Sequence, residues 1–218
     1  MSEVSNFVPS KEQYDIFKDV LGNGIELIGL FYPKAAGAIA SRRVNNLITV
    51  MKTVQRKLNE ADIKPEERKA IALKLSVPFI ENASLEEDPT LQELWVNLLT
   101  NALNPKNSEE VRPIFIDIIK NLSPFDALIL NAFNVSRHPL ISKPKNITWV
   151  KTANGYKDFS TKTVDDSLAV LKSLDLITDI AVSESVFLGN SGIVHKDEIR
   201  LTPLGILFVN TCVKDASK

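Results

Sequence analysis

The sequence predicts a mainly α protein: a helical bundle over residues 1–122 followed by a winged-helix-like α+β module over residues 123–218. Three observations carry this. Leu91, Leu94, Trp95, Leu98, Leu99 and Ala102 fall at offsets 0, 3, 4, 7, 8 and 11, and Val111, Ile114, Phe115, Ile118, Ile119 and Leu122 repeat those offsets, so two segments present matched apolar stripes at the helical period. Ala40, Val44, Leu47, Met51, Val54 and Leu58 alternate spacings of four and three along a longer helix. Beyond Ser123 the order changes to helix, short strand, helix, hairpin, helix, the order of a winged-helix module with a carboxy-terminal helix.

The first helix is expected from about Glu12, where Tyr14, Phe17, Leu21, Ile25 and Ile28 step by three or four residues, and Pro33 ends or kinks it. The second runs from about Lys34 to Asn59. Its seam lasts under three heptads, which favours packing inside its own bundle over a dimeric coiled coil and leaves a homo-oligomer open. The stretch from Asp62 to Arg68 breaks it, Pro65 suits the first turn of the next helix, and Ile71, Leu73, Leu75 and Val77 carry that helix towards Pro78. Asp88-Pro89 opens another: Asp88 caps free amides, Pro89 loses no hydrogen bond, and the acids Glu86, Glu87 and Asp88 complement the helix dipole. Asn104-Pro105 stops it. The following helix begins between Ser108 and Pro113 and closes its stripe at Leu122.

Ser123-Pro124-Phe125-Asp126 has the form of a capping box and leads into a short helix with Phe125, Leu128, Ile129, Ala132 and Phe133 on one face. His138 to Asn146 reads as loop, Ile147 to Val150 as a short strand before the Asn154-Gly155 turn, and Phe159 to Ile177 as helix. Thr178 to Phe187 and Ile193 to Leu201 flank Gly189-Asn190-Ser191-Gly192 as a hairpin, and Thr202-Pro203 caps a last helix through about Val213.

Composition narrows function by exclusion. With 218 residues, 44% of them hydrophobic and 24% charged, a substantial core is feasible. Cys212 is the only cysteine, which excludes an intramolecular disulfide and fits a reducing compartment. The opening MSEVSNFVPSKEQYD lacks the basic start and apolar run of a signal peptide, so a cytoplasmic location is expected. The apolar stretch from Glu26 to Arg42 is interrupted by Pro33 and Lys34 and is too short to cross a bilayer. The glycines before and within it, Gly22, Gly24, Gly29 and Gly37, favour close helix packing, with peripheral membrane contact through Leu21 to Ala40 as the weaker reading.

The net charge of -1 hides an asymmetry. Residues 1–80 carry 12 basic and 9 acidic side chains, residues 81–130 carry 3 and 9, and residues 131–218 carry 11 and 9. In the stretch from Lys157 to Asp179, where a winged helix would read DNA, three lysines face five aspartates, a balance that repels phosphates. Protein contact or dimerisation therefore suits that module better than nucleic acid. The most basic surface is expected on the long second helix, where Arg42, Arg43, Lys52, Arg56 and Lys57 lie opposite the apolar seam. They form a candidate anion- or partner-binding face for phosphates, anionic lipid or an acidic protein, and a solvated helix face is the plain alternative.

Catalytic chemistry finds little support. His138, His195 and Cys212 show no metal-ligand spacing, and the acids Glu81, Glu86, Glu87, Asp88 and Glu93 lack the loop glycine and alternation of a cation site. Nothing marks a base beside Cys212. No catalytic, metal or cofactor residue is assigned, and a non-enzymatic protein is expected.

The residues do resemble one known family. Glu86 and Glu87 before the helix, Trp95 with Leu98 and Leu99, Pro113 with Phe115, and Leu122-Ser123-Pro124 together resemble the abortive-infection alpha family, a bacterial domain associated with phage resistance, across roughly residues 20–133. Many members have a histidine where this chain has Arg112 before the proline. The resemblance implies a role in phage defence and supplies no catalytic residues. Combined with the charge pattern, it leads to an expected mechanism of protein-protein recognition. A winged-helix nucleic-acid regulator and a peripheral membrane effector are the alternatives.

Overall fold

Side-chain caps from Ser10, Asp88, Ser123 and Thr202 set four of the helix starts. The computed structural model describes residues 10–22, 38–136, 140–142, 150–152, 155–157, 161–179 and 198–215, and they are mainly helical. Contacts group the chain into two compact units, Met1–Asn121 with Lys214–Lys218, and Leu122–Val213.

In the first unit, α1 (Lys11–Leu21) follows Ser10, whose hydroxyl accepts from the Gln13 amide at 3.2 Å while Gln13 Oε1 accepts from the Ser10 amide at 2.9 Å. This reciprocal capping box satisfies two otherwise orphaned donors. The helix stops at Gly22, whose φ of +54° suits a residue without Cβ. Ile25, Ile28, Pro33 and the start expected at Lys34 lie outside the described residues.

Helix α2 (Ala38–Glu60) buries Val44, Leu47, Met51, Val54 and Leu58 along the expected seam, and adds Ile48 and Val50. It packs against α1 and against the helix over Pro89–Leu103.

The segment after α2 departs from expectation. Pro65 opens only a 3-10 turn (Pro65–Glu67), and α3 (Leu73–Ala83) starts later and runs through Pro78. The alternation of Ile71, Leu73, Leu75 and Val77 is not its inward face, since Leu73 is 64% exposed. Ser76, Phe79, Ile80 and Ala83 are buried instead. Pro78 has no N–H to give the preceding turn. The continuation is anchored beyond it by Phe79, whose ring meets Trp95 edge to face with centroids 5.6 Å apart.

Helix α4 (Pro89–Leu103) starts as expected, with Asp88 Oδ1 accepting from the Thr90 and Leu91 amides at 2.8 and 3.3 Å. Asp88→Ala should cost about 1 kcal/mol, visible as a lower urea midpoint at unchanged m-value. The stripe itself is wider than predicted, because every residue from Leu94 to Asn104 is buried and α4 has a solvated side only near its start. Nor does the second stripe match. After a 3-10 turn (Ser108–Glu110), α5 (Ile114–Ile119) is short, buries Ile116 and leaves Ile114 50% exposed.

The second unit opens with α6 (Pro124–Ser136) and the predicted capping box: Asp126 Oδ2 accepts from the Ser123 amide at 2.7 Å, and Ser123 Oγ accepts from the Asp126 amide at 3.2 Å. Then follow β1 (Leu140–Ser142), β2 (Val150–Thr152), β3 (Gly155–Lys157), α7 (Thr161–Ser173), β4 (Ile177–Asp179), β5 (Glu198–Leu201) and α8 (Pro203–Phe208), which widens into a π-helical turn (Val209–Val213). One antiparallel sheet has the order β1-β5-β4, with Ile141 opposite Ile199 and Thr178 opposite Arg200. A second pairs β2 with β3, Thr152 opposite Gly155.

Here too the structure corrects the sequence reading. Leu140–Ser142 is a strand within the stretch expected as loop, because β5 supplies a partner that no local pattern reveals. Helix α7 ends at Ser173, short of the expected Ile177: Asp175 adopts φ +56°, and the chain turns into β4. Most of the expected hairpin, including Gly189 to Gly192, lies outside the described residues. The unit's core is built from Phe125, Ile129, Leu130, Phe133, Val164, Leu168, Leu171, Ile177, Ile199, Phe208 and Val209. No helix among the described residues is long and apolar enough to cross a membrane.

Candidate functional site

The five basic residues singled out on α2 have five different environments. Arg42 is exposed and has no partner among the described residues. Arg43 is half-buried: its Nε donates to Ser84 Oγ at 2.9 Å and its Nη2 to the Glu81 carbonyl at 3.3 Å, so it holds the carboxy-terminal end of α3. Lys52 stands 3.6 Å from Glu12, and Arg56 pairs with Glu60 one turn on at 2.5 Å.

Lys57 departs furthest from the expected solvated face. Only 3% exposed, it donates from Nζ to Glu93 Oε1 at 2.5 Å, Asn97 Oδ1 at 2.8 Å and Asp215 Oδ1 at 3.0 Å. All three N–H donors are thus used, which is the condition for keeping an ammonium inside a protein. Glu93 and Asn97 are one turn apart on α4, and Asn101, another turn on, accepts from Asn107 Nδ2 at 2.8 Å. Sequence reasoning missed this cluster, although the i, i+4, i+8 spacing of Glu93, Asn97 and Asn101 marks a polar line down a largely apolar helix.

The groove beside Lys52 does not suit an anion. About 700 Å³ in volume, it is lined by Lys11 and Lys52 but also by Glu12, Asp15 and Asp19. Two cations among three carboxylates leave it net negative.

In the second unit the exposed side of α7 carries Lys162, Asp165, Asp166, Ala169 and Val170, with Val170 37% exposed. Lys172 is engaged by Asp179 at 2.7 Å. The face is therefore acidic with an apolar margin.

Cys212 is fully buried, and burial pushes its thiol well above the usual range. Such a thiol stays protonated and is a poor nucleophile. No group of three His, Cys, Asp or Glu among the described residues could hold a metal ion. His138 and His195 lie outside those residues.

Comparison with known families decides what the sequence resemblance only implied: the family model described as abortive infection alpha matches residues 42–212. The chain belongs to the abortive infection alpha family. No curated protein and no solved structure matches it. The match takes in both units and extends well past the stretch ending near residue 133 on which the resemblance rested.

In this abortive infection alpha protein several of the motif residues have structural places. Trp95, Leu98, Leu99 and Phe115 are buried, Ser123 caps α6, and Glu86 Oε1 accepts from the Asp88 amide at 2.9 Å, steadying the cap of α4. Family membership suggests a part in abortive infection, and the motif supplies the frame on which that part is played.

Proposed function

We propose that this abortive infection alpha protein acts in phage defence as a non-enzymatic cytoplasmic factor, and that its second unit is a winged-helix-like module used for protein recognition. The observation that carries the mechanism is the exposed face of α7, where Asp165 and Asp166 outnumber Lys162 and adjoin Ala169 and Val170. The strand order β1-β5-β4, with α6 before the sheet and α7 leading into β4, supports the winged-helix comparison. In that arrangement α7 would be the reading helix, and its aspartates would repel a phosphate backbone while suiting a basic protein surface.

Charge reversal tests this directly. Asp165→Lys with Asp166→Lys should leave the circular dichroism spectrum unchanged, weaken capture of a specific partner from phage-challenged cells on the order of 100-fold, and abolish plaque reduction. Undiminished protection by the variant would rule out recognition through α7. A wild-type mobility shift on duplex DNA that falls steeply with salt would favour the nucleic-acid regulator instead. Equal plaque counts with and without the protein across a broad phage panel would remove the defence role.

A further inference from the structure

The π-helical turn that ends α8 is held by a residue just outside it. Val209, Thr211 and Cys212 bury their side chains in this turn, whereas Lys214 and Asp215, immediately beyond it, are exposed. Residues near a chain end fray unless something ties them down, and a π-helical turn is a rare conformation to leave unsupported. Asp215 supplies a tie: its Oδ1 accepts from Lys57 Nζ at 3.0 Å, across a separation of 158 residues.

The two ends of this ion pair differ in what they lose on parting. Lys57, only 3% exposed, is also held by Glu93 Oε1 at 2.5 Å and Asn97 Oδ1 at 2.8 Å, both on α4. If Asp215 leaves, the ammonium keeps a carboxylate and an amide oxygen, so no bare charge is stranded inside the protein. Asp215, with 40% of its side chain exposed, passes to water at small cost. The contacts from α4 therefore make the cluster permanent, and the contact from Asp215 is the detachable one.

A pair with one half-exposed end is also open to screening by salt, as a fully buried pair is not. We infer that Asp215 is a releasable strap: docked on Lys57 it holds the Val209–Val213 turn in place, and its release, favoured by salt, lets that turn open while the helices around Lys57 stay folded. Cys212 reports the opening. It is the only cysteine of the chain, and it is fully buried in the turn that the strap holds.

The test measures how fast iodoacetamide, an uncharged reagent, alkylates Cys212 in the full chain under native conditions at fixed pH. Asp215→Ala should react at least about tenfold faster than wild type, and Lys57→Met should match it because the strap then has nothing to dock on. Glu93→Gln leaves Lys57 and Asp215 facing each other and should stay within about twofold of wild type. Asp88→Ala lowers stability at the cap of α4 without touching the strap, and should do the same. Raising sodium chloride from about 0.05 to about 0.5 M should speed the wild-type reaction several-fold and leave Asp215→Ala unmoved. Equal rates for wild type, Asp215→Ala and Lys57→Met would overturn the strap. So would an equal acceleration by Asp88→Ala, which would make the opening part of general unfolding.

Discussion

Gly205→Ala is expected to destabilise the second unit by about 3 kcal/mol, at the upper end of what overpacking usually costs. A Cβ built on Gly205 would stand 1.9 Å from the Leu176 carbonyl oxygen and 2.8 Å from its carbon. Both are backbone atoms, so no side-chain rotation relieves the clash. The same carbonyl accepts from the Thr202 amide at 3.0 Å, and Thr202 Oγ1 accepts from the Gly205 amide at 2.9 Å while donating to the Asp175 carbonyl. Moving α8 away would therefore loosen its own cap and the turn that ends α7. Urea unfolding followed by circular dichroism reads the loss, with Ile206→Ala, at a neighbouring side chain 43% exposed, as a control expected within about 0.5 kcal/mol of wild type. Equal stability of Gly205→Ala and wild type would mean that α8 does not press on Leu176.

The contact shows which parts of the fold were legible in the sequence. Capping is local, and Asp88, Ser123 and Thr202 each cap the helix they were expected to start. A cap needs only residues within one turn of itself, so a short window contains all the physics. Strand β1 is the opposite case. Leu140 pairs with Arg200, and nothing near Leu140 distinguishes a strand from a loop until that partner is in place. Similarly, α3 crosses Pro78 because Phe79 finds Trp95, a tertiary contact that outweighs one missing backbone hydrogen bond.

The basic face on α2 was legible only in part. Its exposed members, Arg42, Lys52 and Arg56, fall where their charge predicts. Lys57 does not, and helical geometry explains why: three residues after Val54 it lies about 60° round the axis from the seam, at the edge of the buried side rather than opposite it. Whether an edge lysine turns inward depends on acceptors elsewhere. Here they come from Glu93 and Asn97 on α4 and from Asp215 near the end of the chain, separations no periodicity can register.

That burial makes Lys57 and its acids the second strong determinant of stability, and the expected results are asymmetric. Glu93→Gln combined with Asp215→Asn removes both carboxylates and leaves a buried ammonium facing neutral acceptors. The expected loss is about 3 to 5 kcal/mol, towards the lower figure because the two carboxylates are 49% and 40% exposed and therefore partly screened. Lys57→Met removes the charge itself and fills the same space, so it should cost only about 1 kcal/mol, both acids being already partly exposed to water. The triple variant carrying all three changes should then recover most of what the acid pair lost, a coupling measurable by a double-mutant cycle in urea. If Lys57→Met proved as damaging as loss of both acids, the ion pairs themselves would be net stabilising. If the acid pair could be removed without effect, Lys57 would be reaching water, and its three short contacts would not describe the protein in solution. The expected ordering, with the lone cation worst and the uncharged replacement nearly neutral, follows from desolvation: an ammonium already stripped of water has more to lose from a missing partner than a half-exposed carboxylate does.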